Sequence, residues 1–232
     1  VSGSMLAQDL QPNRIEAAKK VASEFVTDRK NDKIGLVIFA GESFTQCPLT
    51  TDHKVLLNLL KDVNFGMIED GTAIGLGLAN SVNRLKDSPS KSKVVILLTD
   101  GTNNRGQIAP LTAADLAKSY GIRVYTIGVG TKGMAPTPVQ TPFGMRIQNM
   151  PVDIDEKTLT EIASLTGGQY FRAVDTEGLR EVYREIDQME KYLISVQNVT
   201  RKQELFLPFA LAALALILIE LILRRTWLRT IP

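Results

Sequence analysis

One cysteine, Cys47, and one histidine, His53, are all that this chain of 232 residues has of each. A lone thiol leaves no internal disulfide framework, so the fold does not depend on an oxidising compartment, although none is excluded. A lone imidazole argues against the multi-histidine sites of most zinc hydrolases. No Cys/His pair suggests nucleophilic catalysis. Charge of one sign is also missing: 27 basic residues face 25 acidic ones, for a net +2. That balance gives no electrostatic case for nucleic acid. No GxxxxGK[ST] motif occurs, which argues against an intrinsic ATPase. No GxSxG elbow surrounds any serine, so a hydrolase nucleophile is not indicated. Gly71, Gly75 and Gly77 lack the strand–GxGxxG–helix context of a dinucleotide site. Neither an initiator Met nor a signal peptide precedes Val1-Ser2-Gly3-Ser4-Met5, and the opening reads as that of a fragment whose upstream part is missing.

What is present is apolar and periodic. Hydrophobic residues make up 44 % of the chain, enough for a substantial core in one domain plus an appendage. Helical spacing covers Arg14–Thr27, with Pro12 just ahead as a start signal. Further helices are expected from Thr51-Asp52 through Leu60, over Thr72–Leu85, over Ala109–Tyr120 closed by Gly121, and over Asp155–Leu165 ended by Gly167-Gly168. Between them lie apolar runs with strand character: Ile34–Phe39 and Lys93–Leu98 as strands buried on both faces, Arg123–Val129, and a short Gln169–Arg172. Phe44–Cys47 reads as an edge strand. Strands separated by helices of this length predict an α/β fold: a doubly wound, mostly parallel sheet with helices on both faces. Thr131–Pro151 breaks the rhythm with four prolines and a turn candidate at Phe143-Gly144, so an inserted hairpin or long loop is expected there. Leu179, Val182, Tyr183, Ile186, Met189 and Leu193 recur at three and four, predicting an amphipathic helix.

The C-terminus differs from the body. Leu205–Leu223 is nineteen residues with one charge, Glu220. At about 1.5 Å per residue it is expected to span a bilayer core of about 30 Å. Arg224, Arg225 and Trp227 follow, and Glu220 can pair with Arg224. The expected organisation is a domain at 1–192, a connector at 193–204, the span at 205–223 and a basic tail at 224–232. Lys191, Arg201 and Lys202 before the span balance Arg224, Arg225 and Arg229 after it, so the positive-inside rule gives no orientation.

Three short segments each follow a strand or open a helix, and each offers oxygen. They are Ser2-Gly3-Ser4, Asp70-Gly71-Thr72 and Thr99-Asp100-Gly101. A doubly wound sheet gathers such segments at the carboxyl ends of its strands. Hydroxyls and carboxylates there suit a hard cation with oxygen coordination, not zinc or copper. Taken singly, each segment is also an ordinary loop, helix start or turn, with Asp70 as a helix cap.

Together these residues resemble the metal-ion-dependent adhesion site (MIDAS) of von Willebrand factor A domains. Ser2 and Ser4 match the two serines of the family's Asp-x-Ser-x-Ser element, Thr72 its threonine and Asp100 its later carboxylate. The resemblance spans about residues 1 to 190. The family's leading aspartate would precede Val1, and its first, central strand is expected to be missing. A chain without them should bind metal weakly and expose two ladder edges. The order of domain, Val152–Ala163, Thr166–Phe171, charged helix and apolar helix is similar to the BatA-type, aerotolerance-related proteins of bacteria. That resemblance implies Mg²⁺ (or Mn²⁺ or Ca²⁺) at Ser2, Ser4, Thr72 and Asp100, and a protein partner that supplies a carboxylate. Asn103, Asn104 and the 131–151 insertion are expected to shape the choice of partner. It also implies companion Bat-type proteins, a MoxR-type AAA+ ATPase, an inner-membrane anchor and a periplasmic domain, without enzymatic activity. Two other functions compete: a doubly wound enzyme taking a nucleotide or phosphorylated ligand at the same rim, and an accessory subunit of a metal chelatase. The first lacks an evident phosphate cradle, and the second is usually soluble.

Overall fold

A computed structural model describes residues 1–141, 144–197 and 206–226. Contacts divide the chain into two compact units, Val1–Lys191 and Tyr192–Pro232.

The first unit opens with a 3-10 turn at Gly3–Leu6 and then α1, Arg14–Asp28. The Asn13 side chain caps α1 by accepting from the Glu16 amide at 2.9 Å. Two strands follow, β1 (Ile34–Phe39) and β2 (Ser43–Thr50), paired antiparallel. β2 is longer than the expected edge strand. Its Pro48 is tolerated because, among the described residues, β2 pairs on one side only. Next come α2 (His53–Lys61) and α3 (Ile74–Leu85). β3 (Val94–Thr99), α4 (Pro110–Ser119) and β4 (Arg123–Val129) form a right-sized crossover unit with parallel strands. β5 (Gly133–Thr141) and β6 (Gly144–Val152) are the expected hairpin. α5 (Glu156–Thr166), β7 (Tyr170–Ala173) and α6 (Thr176–Gln197) complete the order. Asp52 and Asp155 cap α2 and α5 through their carboxylates.

Alternation along the strands explains the two cores. Tyr125, Ile127 and Val129 of β4 face one way, against Val21 of α1 and Leu179 and Ile186 of α6. Val95 and Leu97 of β3, with Val124, face the other way against Ile74 and Leu78 of α3, Ala114 of α4 and Leu159 of α5. Helices therefore cover both faces, as doubly wound architecture demands.

The sheet itself departs from the expectation of a mostly parallel array. Among the described residues only β3-β4-β7 is parallel; β1-β2 and β5-β6 are antiparallel ladders of their own. β1 is also not buried throughout: Ile38 is its one buried side chain. The reason lies on its open side. Among the described residues β1 and β3 each pair along one edge only, and a cavity of ≈ 180 Å³ lies between Leu36–Phe39 and Val95–Leu98.

The second unit carries α7, Phe206–Thr226. The expected bilayer span is not met: among the described residues no helix is long and apolar enough to cross a membrane. Leu205 lies outside the described residues. Phe143 of the turn candidate, the connector residues Arg201 and Lys202, and Trp227 and Arg229 of the basic tail also lie outside the described residues, as do the side chains of Arg224 and Arg225.

Candidate metal centre

The first loop is held by its own turn. Met5 N–H donates to the Ser2 carbonyl and Ala7 N–H to the Ser4 carbonyl, both at 3.0 Å. That places the Ser2 and Ser4 hydroxyls 2.9 Å apart. The Ser4 hydroxyl donates to Asp100 Oδ1 at 2.9 Å. The Val1 amino group donates to the Phe39 carbonyl of β1 at 2.7 Å.

The second loop follows α2 and is held against the end of β1 through Gly41 and Ala40. Gly41 N–H donates to Glu69 O at 2.8 Å and Ala73 N–H to Ala40 O at 2.7 Å. Gly71 has φ 136°, where an L side chain is strained, and a Cβ would meet the Arg105 side chain at 2.6 Å. Thr72 is 6 % exposed. Its hydroxyl lies 3.7 Å from where a Cβ on Gly101 would stand, so it faces the third loop.

The third loop leaves β3 with Asp100, which is 3 % exposed. Its Oδ2 accepts from Arg14 Nη1 at 2.9 Å. Arg14 also grips Asp9, through Nε at 2.8 Å and Nη2 at 2.6 Å. Asp9 in turn accepts from the Thr131 amide at 2.9 Å. Burial pushes the Asp9 carboxyl up, but the bonds from Arg14 and Thr131 outweigh it and hold the carboxyl below the usual range. Burial likewise opposes the Arg14 charge, and the two carboxylates outweigh it.

All four expected site residues thus lie at one rim: Ser2, Ser4 and Asp100 in one hydrogen-bonded chain, and Thr72 against Gly101. Three hydroxyls and one carboxylate fit a hard cation that accepts neutral oxygen donors. Among the described residues no group of three or more His, Cys, Asp and Glu side chains could hold a metal, so a soft-metal or all-carboxylate cage is not what gathers here.

Other expectations need correction. Asp70 does not cap α3, which begins at Ile74 without a cap from its own segment. Asp70 Oδ1 instead accepts from the Gly3 and Gly71 amides, both at 2.9 Å, tying the first loop to the second. Asn103, half-buried, and Asn104, exposed, brace the second loop: Asn103 Oδ1 accepts from Ile74 N–H and Asn104 Oδ1 from Thr72 N–H, both at 2.8 Å. They do the capping that Asp70 was expected to do. Arg14 and Asp9 carry no sequence signal, because a charged pair near the start of a helix has no motif and their five-residue separation is not a helical one.

Residues 1–185 match the family model of the von Willebrand factor type A domain. An aerotolerance-related membrane protein from Bacteroides fragilis is 32 % identical, over 81 % of this chain and 92 % of that one, with a TM-score of 0.70. BatB from Bacteroides thetaiotaomicron is 32 % identical over 82 % of this chain and 95 % of that one, at a TM-score of 0.69. A UPF0353 protein of Mycolicibacterium paratuberculosis is 30 % identical over 81 % of this chain, which spans 58 % of that protein's length. A mussel byssus matrix protein, solved with a zinc-occupied MIDAS motif, shares the fold at 24 % identity and a TM-score of 0.60, over 80 % of this chain and 43 % of its own.

Proposed function

The chain belongs to the von Willebrand factor type A family, and on that footing we propose that it is a metal-dependent docking module for protein partners. The observation that carries this is the chain of contacts from the Ser2 hydroxyl to Ser4 to Asp100, each 2.9 Å, with the Thr72 hydroxyl facing the same loop. Ser2, Ser4 and Thr72 would hold the cation directly, and Asp100 directly or through water. Mg²⁺ is the proposed ion, with Mn²⁺ or Ca²⁺ as substitutes. Bound there, the ion would supply a Lewis-acidic position open to a carboxylate from a partner. Neutral hydroxyls leave most of its charge uncompensated, which is what such a contact needs.

No enzymatic activity is proposed. The partners proposed are companion Bat-type proteins and a MoxR-type ATPase system, because the solved relatives are an aerotolerance-related protein and BatB. The apolar α7 is proposed as a tether to the bacterial inner membrane, with the domain on the periplasmic side. Support comes from the relative named as a membrane protein and from the exposure of Phe209, Leu216 and Ile217.

Thermal unfolding tests the docking site. Mg²⁺ or Mn²⁺ at about 100 times Kd should stabilise the chain by about 2.7 kcal/mol, chelator should remove the effect, and Asp100→Ala should abolish it. Stabilisation by a nucleotide, with none by metal, would replace this function with the enzyme alternative.

A further inference from the structure

Arg14 is 2 % exposed and lies directly behind the carboxylate of the candidate site. Its position is built, not incidental. Gly130, at φ 139°, leaves room that any Cβ would fill, at 2.6 Å from Arg14 Nη2. The guanidinium spends its fork on Asp9 and one nitrogen on Asp100 Oδ2. Asp100 is thereby divided: Oδ2 is tied to a fixed cation, and Oδ1 alone points to Ser4. Asp9 is pinned by the Thr131 amide at the base of the hairpin. The row Asp9–Arg14–Asp100 thus alternates in sign.

We propose that Arg14 is a positioning residue that restricts Asp100 to one oxygen at the metal site and offsets its charge, and that Asp9 sets how much of the Arg14 charge the site feels. The inference rests on the docking function proposed above. Its consequence is a weakly held, strongly electrophilic cation. With Oδ2 engaged, Asp100 cannot chelate the ion through both oxygens. With a guanidinium at 2.9 Å, its negative charge is largely spent before the ion arrives. The charge a bound ion keeps is then available to an incoming carboxylate.

The test is a Mn²⁺ titration of the full chain, read by electron paramagnetic resonance, with proton relaxation reporting the waters on the bound ion. Arg14→Gln should bind Mn²⁺ more tightly, by about tenfold for the loss of one nearby positive charge, and should shed a bound water as Asp100 takes a second coordination position. Asp9→Asn should do the reverse and weaken binding several-fold, because the Arg14 charge is no longer shared. Arg14→Lys keeps the charge but not the fork; it should stay within about threefold of wild type. A merely structural role moves Arg14→Gln and Asp9→Asn in the same direction, toward weaker binding, and that result overturns the proposal. If Arg14→Gln does not fold, the double variant Arg14→Gln/Asp9→Asn, which leaves no unpaired charge from the Asp9–Arg14 pair, takes its place: it frees Asp100 Oδ2 and should shed a bound water, and an unchanged water count overturns the proposal. A wild-type chain that binds no Mn²⁺ sinks the metal site and this inference together, whereas wild-type binding with unmoved variants sinks this inference only.

Discussion

Glu190 is a buried carboxylate at the opposite end of the sheet from Asp100. Its Oε1 accepts from the Tyr125 hydroxyl at 2.7 Å and pairs with Arg123, and its Oε2 accepts from the Ser92 hydroxyl at 2.9 Å. A buried charge is tolerated only when it is satisfied in this way. The arrangement has a price at high pH. Burial, and then the bond to Glu190, push the Tyr125 phenol from 10.0 up to about 12. Burial alone pushes Tyr183 up to about 12. Between those limits the unfolded chain loses protons that the folded chain keeps, so stability falls as pH rises. The stabilisation is fully present below pH 10 and is lost on the way to about 12. Each tyrosine should contribute a loss of about 2 kcal/mol. Urea midpoints measured from pH 9 upward should drop across that window, and Tyr125→Phe should flatten part of the drop. A midpoint that stays constant would show that neither phenol is held neutral by the fold.

The elements that present the site depend on contacts across the chain, and α3 is the clearest case. Its start is fixed from the third loop, by Asn103 on Ile74 N–H and Asn104 on Thr72 N–H. Asn103→Ala should cost about 1 kcal/mol, the usual worth of an N-terminal cap, and the loss should register as a lower urea midpoint. It should also weaken metal-induced stabilisation, because the same bonds hold the Thr72 loop against Asp100. An unchanged midpoint would mean that water replaces the asparagine at no cost. This is also where the sequence stops being legible. α1, α2, α5 and the strands of the parallel sheet carry their own signals, in apolar spacing, in Pro12 ahead of α1, in the Asp52 cap of α2 and in Gly167-Gly168 after α5. Those signals are local, so they survive reading without coordinates. The cap of α3 comes from 29 residues away, and Asp70, the local candidate, is drawn off to Gly3 and Gly71. Ser2, Ser4, Thr72 and Asp100 were legible as neighbours at one rim because loops at the ends of parallel strands converge. Arg14 and Asp9 behind them were not, since a buried ion pair leaves no periodicity.

For the whole molecule, α7 poses a question of solvent. Its described side chains at 209–221 are apolar apart from Glu220, and all are exposed, with Phe209 at 75 %. A helix that is apolar on every face finds no favourable surroundings in water; it is stable inside lipid or against another apolar surface. Fractionation separates these two outcomes. Expressed in a bacterial host, the full chain should sediment with membranes. If the tether spans the bilayer, alkaline carbonate should leave the chain in the pellet and detergent should release it. A truncation lacking 205–232 should move to the supernatant while keeping its Mn²⁺-dependent thermal shift, because all four candidate donors lie in the first compact unit. Release by carbonate would limit α7 to surface attachment. A full chain that stays in the supernatant without detergent would remove the membrane from the proposal altogether and leave α7 as a helix whose partner is a protein.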